Sequence, residues 1–345
     1  MLATVVELPL RMLQVTSFLL AVASLFLLAV LVIRRLTSSG RDHESAEKRL
    51  TPTAMAIAFE DGEGPALSAR DAAILATLLS RFAARLQGGS RERLGEYFES
   101  HGHLHAEVEK LSDRRAWRRA TAAYLLGDMG SSKAAPVLVA ALQRDVPEVR
   151  SAAARSLGQL GTPEALEALV AALAARRVPT GVIGQALIAV GPGAVKPVLP
   201  LLGDPEPEVR ATAAELIGLL GDAGDAERLG ARLEDSSGSV RRQAAIALGR
   251  LGAGSAVEGL KDALADPAPG VREGAAEALG SIGDPLAFPL LLDVASRDSF
   301  APARAAARSL AQIDPARAEA AARDPGAGPH VVEVADAAAV DLAPA

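Results

Sequence analysis

The chain has 345 residues, 50% of them hydrophobic and 23% charged, with a formal net charge of −6 at pH 7. It contains no cysteine, which excludes disulfides, thiolate metal sites and thiol nucleophiles, and its net acidity argues against a nucleic-acid binder, whose footprint is a basic patch. Aromatics make up 3%, so the core has to come from small and aliphatic side chains on closely approaching helices.

The amino end comes first. Met12 to Ile33 carries no charged residue. As a helix rising about 1.5 Å per residue it spans roughly 33 Å, against a hydrocarbon core of about 30 Å. This predicts a transmembrane anchor within residues 1–35. Ala21-Val22-Ala23 has the small-residue pattern of a leader cleavage site, but cutting there would expose an apolar new terminus, so an uncleaved anchor is preferred. Arg34, Arg35, Arg41, Lys48 and Arg49 follow the span, whereas Glu7 and Arg11 precede it. Basic flanks stay on the cytoplasmic side, which predicts a cell-membrane, single-pass chain whose bulk is cytoplasmic.

Residues 36–87 read as a juxtamembrane linker and helical segment. Thr37 to Leu50 is polar and charged, and Asp71 to Leu86 has Ile74, Leu75, Leu78, Leu79 and Phe82 on one helical side. Arg91 to Glu99 reads as a degenerate capping repeat at the start of an array covering 88–323.

Two local clusters follow. His101, His103 and His105 alternate with other residues. On a helix His101 and His105 would share a face and could ligate a metal together with Glu107; the plainer reading is a polar turn beside a capping helix. The run from Arg114 to Arg119 could meet phosphate groups of an anionic lipid. The preferred reading is a helix start in which Trp117, the single tryptophan, seals the first full repeat.

The body is a repeat. The stretch from Val149-Arg150 to Leu160-Gly161 recurs from Val209-Arg210, Val240-Arg241 and Val271-Arg272, with weaker copies from Arg118, Pro179 and Pro302. The interval is thirty or thirty-one residues, which means a stacked array of supersecondary units. Each unit reads as a leucine-patterned helix, a turn with Asp (Asp113, Asp145, Asp204, Asp235, Asp266, Asp298) and a second helix carrying Val-Arg. Pro147, Pro207 and Pro269 suit the first helical position, and a closing Gly suits a left-handed cap. Ala153, Ala214, Ala245 and Ala276 are predicted to allow close helix approach. Leu157, Ile217, Leu248 and Leu279 are predicted to fill the layers, each contributing about 1.5–3 kcal/mol on burial.

Positions two and six after the signature residue point away from that core. They line up Tyr124, Arg155, Glu215, Arg242, Ile246, Glu273, Glu277, Arg304 and Arg308 into one ridge, predicted to be the inner curve. Its charges alternate in sign, which suits a protein partner and not a nucleic acid. Asp324 to Ala345 has no Lys or Arg and reads as a disordered tail.

No phosphate-cradling GxxxxGK[ST] and no GxSxG elbow occurs. Gly191-Pro192-Gly193 and Gly252-Ala253-Gly254 fall where the period puts turns. The expectation is therefore no catalytic residue, no cofactor and no metal.

The unit Asp…Pro-x-Val-Arg-x-x-Ala-Ala-x-x-Leu-Gly-x-Leu-Gly resembles the short HEAT-like repeat of phycobilin-lyase subunits. The anchor and array together resemble bacterial membrane-anchored HEAT-repeat proteins. The resemblance implies an all-α fold, an α-solenoid of superhelical α-α repeats preceded by one transmembrane helix. It also implies that turn Asp and signature Arg pair in a ladder through Arg119, Arg150, Arg210, Arg241 and Arg272, broken at Thr180 and Ala303. In function it implies a scaffold at the cytoplasmic membrane face, with a protein partner that a membrane-bound enzyme could supply. The alternatives are a metal-binding or enzymatic HEAT-repeat protein, lyase-like or hydroxylase-like, and an anionic-lipid adaptor. HEAT-fold hydroxylases use several His-Glu pairs, and this chain has one, His43-Glu44, in the linker.

Overall fold

Proline and glycine punctuate the chain at the repeat interval, and helices form between them. The computed structural model describes residues 47–48, 50–54, 74–75, 78–79, 89–324 and 326–334. The expected anchor, Met12 to Ile33, lies outside the described residues. Among those residues no single helix is long and apolar enough to cross a membrane.

The chain divides into two compact units, Met1–Ser100 and His101–Ala345. In the first, Ile74, Leu75, Leu78 and Leu79 are helical and buried, as their predicted shared face requires; Phe82 lies outside the described residues. Helix α1 (Gly89–Ser100) belongs to this unit and buries Leu94 and Phe98. The predicted capping segment is thus a helix of the first unit, whose last residue is Ser100.

The second unit is a row of helix pairs. The first helices are α2 (His103–Lys110), α4 (Ala135–Arg144), α6 (Pro163–Ala174), α8 (Val195–Val198), α10 (Ala226–Gly230), α12 (Val257–Ala263) and α14 (Phe288–Arg297). Their partners are α3 (Ala116–Met129), α5 (Pro147–Leu160), α7 (Thr180–Val190), α9 (Pro207–Leu220), α11 (Gly238–Arg250), α13 (Pro269–Ile282) and α15 (Phe300–Ile313). Helix α16 (Pro315–Ala322) follows the last pair. Pro147, Pro207 and Pro269 open their helices at the position that needs no amide donor. Gly161 and Gly283 close α5 and α13 with φ of 62° and 78°. Gly221 differs: it ends α9 in extended backbone, φ −82°.

One continuous core runs through the row. Val149, Val209 and Val240, and Leu157, Ile217, Leu248 and Leu279 eight residues after the signature positions, are fully buried. The second helices pack on one another far more extensively than the first helices do. Tight spacing on one side and loose spacing on the other bends such a stack toward the second helices, which places them on its inner side.

Glycine nine residues after the signature position makes that tight spacing possible. A Cβ at Gly218 would lie 2.5 Å from Ala247 Cβ, and one at Gly249 would lie 2.6 Å from Ala278 Cα. At two joints a serine completes the approach: Ser156 Oγ donates to Ala123 O and Ser309 Oγ to Ala276 O, each at 2.8 Å.

The third repeat departs from this rule. Ile188 stands where the glycine would be, and Leu216 of α9 stands where α5, α7, α11, α13 and α15 have Ser or Ala. Two branched side chains hold the backbones apart, and α7–α9 is the thinnest contact in the inner row. Gly184 of α7 is buried, yet a Cβ there would meet nothing within 4 Å. Gly184→Ala is therefore expected to stabilise the array by about 1 kcal/mol, by removing a helix-interior glycine where there is room. A melting temperature below wild type would contradict that reading of the joint.

The carboxyl end also departs from expectation. Residues 329–334 are helical, and Val331, 2% exposed, joins the array core. Phe300 meets His330 edge-on with ring centroids 4.9 Å apart. Within the stretch expected to be a disordered tail, residues 329–334 are therefore helical, and Val331 covers part of the apolar end of the last repeats. Residues 335–345 lie outside the described residues.

Candidate interaction surface

The second helices expose one row of side chains along their length. Arg155, Arg242, Glu277, Arg304 and Arg308 are exposed, Tyr124 is 38% exposed, and Glu215, Ile246 and Glu273 are half-buried. The core residues at four, five and eight after the signature position hold each helix, so positions two and six face outward. Neighbouring repeats touch along the row. Arg155 of α5 lies over the Tyr124 ring of α3, 5.2 Å from its centroid. The Arg242 stem and Ile246 lie against Gly270 and Gly274 of α13, close enough that a Cβ at either glycine would sit 3.2 Å away. Among the described residues none of the charged members of the row forms an ion pair. The signs alternate along the row: Arg155, Glu215, Arg242, then Glu273 with Glu277, then Arg304 with Arg308.

A ladder of ion pairs fixes the adjoining edge, where the inter-helix turns line up. Each signature arginine reaches forward to the aspartate of the next turn. Arg210 donates Nε and Nη2 to Asp235 at 2.8 Å, Arg241 does so to Asp266 at 2.7 and 2.9 Å, and Arg272 to Asp298 at 2.6 Å. Arg119 joins Asp145 at 2.8 and 2.6 Å. The remaining nitrogen, Nη1, donates to the backbone of the arginine's own turn, as from Arg210 to Asp204 O at 2.8 Å. One guanidinium thus ties two repeats together, and periodicity alone does not reveal that the pairing runs between units. The ladder breaks at Thr180 and Ala303 as expected. It also breaks at Arg150, which was expected to be a rung, because no aspartate stands in the following turn.

Asp145, Asp235, Asp266 and Asp298 are all held below the ordinary carboxylate value of 3.8, chiefly by hydrogen bonds from their arginines and against the opposing effect of burial. A folded value below the unfolded one contributes stability that is complete above the unfolded value and is lost as pH falls through the folded one. The urea midpoint is expected to be flat above about pH 5 and to fall below about pH 4. A midpoint that rises on acidification would contradict the ladder's energetic role.

The other predicted clusters resolve into local contacts. His105 Nε2 lies 3.3 Å from Glu109 Oε1, and among the described residues no group of three or more His, Asp or Glu side chains could hold a metal ion. Of the basic run, Arg118 pairs with Asp113 at 3.0 Å and Arg119 is the first rung. Trp117 does not seal the first repeat: it is 62% exposed, stacked beneath Arg118 at 5.3 Å. Helix α3 turns its Ala122, Ala123 and Leu126 face inward and leaves Trp117 on the outside.

The family profile for HEAT repeats matches residues 107–190, 181–246 and 226–312. The chain belongs to the HEAT-repeat family. No curated protein matches it. Among solved structures it is similar to the CpcE–CpcF complex of phycocyanin lyase from Nostoc, at 22% identity over 68% of this chain and 94% of that one, TM-score 0.34. It is also similar to human deoxyhypusine hydroxylase, at 23% identity over 79% and 98%, TM-score 0.32. Importin beta is similar at 14% identity over 80% of this chain and 46% of its own, TM-score 0.49. The family assignment rests on the profile and on the HEAT-repeat geometry described above.

Proposed function

We propose that this HEAT-repeat chain is a non-catalytic scaffold, anchored in the cell membrane through Met12 to Ile33, that binds a protein partner on the cytoplasmic side along the row from Tyr124 to Arg308. One observation carries the reading. The row is continuous, its members are exposed or half-buried, its charges make no ion pairs among the described residues, and two apolar anchors, Tyr124 and Ile246, stand within it. A partner with complementary alternating charge gains orientation and selectivity from such a surface, and a central apolar side chain supplies affinity. A membrane-bound enzyme is the partner class the anchor suits, since a shared membrane raises effective concentration.

The test is co-purification from detergent extract of wild type and of a variant combining Arg155→Glu, Glu215→Lys, Arg242→Glu and Glu277→Lys. The variant is expected to lose its main partner at least tenfold while keeping its melting temperature. Equal recovery of every partner would refute the assignment. Carbonate-washed membranes are expected to retain the full chain and to release one lacking residues 1–35; a full chain freed by the wash would refute the anchor.

A further inference from the structure

We propose that Arg150, on the turn edge of the array, is a docking point for a carboxylate presented by an acidic segment of a protein partner. The site is separate from the exposed row on the second helices, so the two readings stand or fall independently.

The argument starts from its four sister arginines. Arg119, Arg210, Arg241 and Arg272 each give an Nε and Nη2 fork to a carboxylate twenty-five or twenty-six residues further on. The residues at those distances from Arg150 are Ala175 and Arg176. Neither can accept. Arg176 adopts left-handed backbone, φ 50°, and meets Glu206 of the following turn at 3.2 Å. Arg177 reaches back instead, donating Nη1 to Gln143 O at 2.8 Å, which shows that the second and third turns adjoin.

Arg150 is left half-buried, with no ion pair among the described residues, and its buried Nε has no hydrogen-bond acceptor. A buried donor without a partner is costly, and a guanidinium fork is matched by a planar carboxylate. The surrounding charge favours the same ligand. Arg144, Arg176 and Arg177 lie on this edge and are exposed. The acids there are Asp145, committed to Arg119, Glu206, paired with Arg176, and Glu148, exposed at the second position of α5. An incoming Asp or Glu would therefore complete the ladder between the second and third repeats.

The probe is a fluorescein-labelled peptide of aspartates alternating with glycines, titrated into the full-length chain and followed by anisotropy. Arg150→Ala is expected to weaken binding at least tenfold with no fall in melting temperature, since Arg150 forms no rung. Arg150→Lys is expected to weaken it comparably, because an ammonium cannot offer the fork. Arg297→Ala, at an exposed arginine that pairs with Asp293, serves as the control and is expected to bind as wild type. Undetectable binding, equal binding by Arg150→Ala, or full rescue by lysine would overturn the proposal. So would Arg150-dependent capture of anionic vesicles without capture of the peptide.

Discussion

Gly249→Leu is expected to destabilise the array by about 3 kcal/mol, through overpacking at a helix crossing. The first added carbon would already lie 2.6 Å from Ala278 Cα and 2.8 Å from Ala278 Cβ. The first of these is backbone, which no rotamer change can move aside. Relief requires α11 and α13 to separate, and that opens the layer filled by Leu248 and Leu279, both fully buried. Gly254→Ala is the control, since a Cβ there meets nothing within 4 Å and the backbone φ is not positive. Urea unfolding followed by circular dichroism reads both. Matching midpoints for Gly249→Leu and wild type would mean that the inner helices are not spaced as described.

Asp235→Ala is expected to destabilise the array by about 3 kcal/mol, because it leaves a buried cation uncompensated. The side chains of Arg210 and Asp235 are 9% and 5% exposed. Without the carboxylate, Arg210 keeps its bonds to Asp204 O and Pro205 O but loses both acceptors of its fork. The comparison is Arg176→Ala, which breaks the Arg176–Glu206 pair, 52% and 44% exposed, and is expected to change stability by less than about 1 kcal/mol. Similar losses in the two variants would show that burial does not set the ladder's strength.

Most of the fold could be read from the sequence because the repeat states its own rules many times over. The interval, the N1 prolines and the burial of the positions eight residues after each signature residue all follow from local chemistry repeated along the chain. The outward row was legible for the same reason, since helical geometry alone decides which positions the core does not use. What periodicity could not decide was contact between units. The forward reach of Arg210 to Asp235 depends on how successive turns stack. The use of Gly249 against Ala278 rests on a glycine found nine residues after the signature position in five of the seven second helices, but a glycine inside a helix does not by itself say which neighbour approaches it. Trp117 was misjudged because its size suggested burial, whereas its helix presents a different face to the core. The order at Val331 was missed because composition describes a segment by itself and not the apolar helix end it covers.

The third repeat shows how locally such a stack can vary. Thr180 replaces the arginine, Arg176 takes the place of the aspartate, and Ile188 replaces the glycine, all within one unit. In an array where each repeat contacts only its neighbours, these exchanges remove the ladder rung at two joints, thin the packing at one of them, α7–α9, and leave the others intact. The exposed row continues across the loose joint, so partner binding on both sides of it would couple to the angle between the two segments.

Because the chain has no cysteine, single cysteines carrying a photo-activated crosslinker can map the bound face directly in intact membranes. Placed at Arg242, Glu277 or Arg308, the probe is expected to join the same partner protein each time. Placed at Glu167, Glu258 or Asp293, exposed on the first helices, it is expected to join none. A partner captured from the first-helix positions and absent from the row would contradict the account.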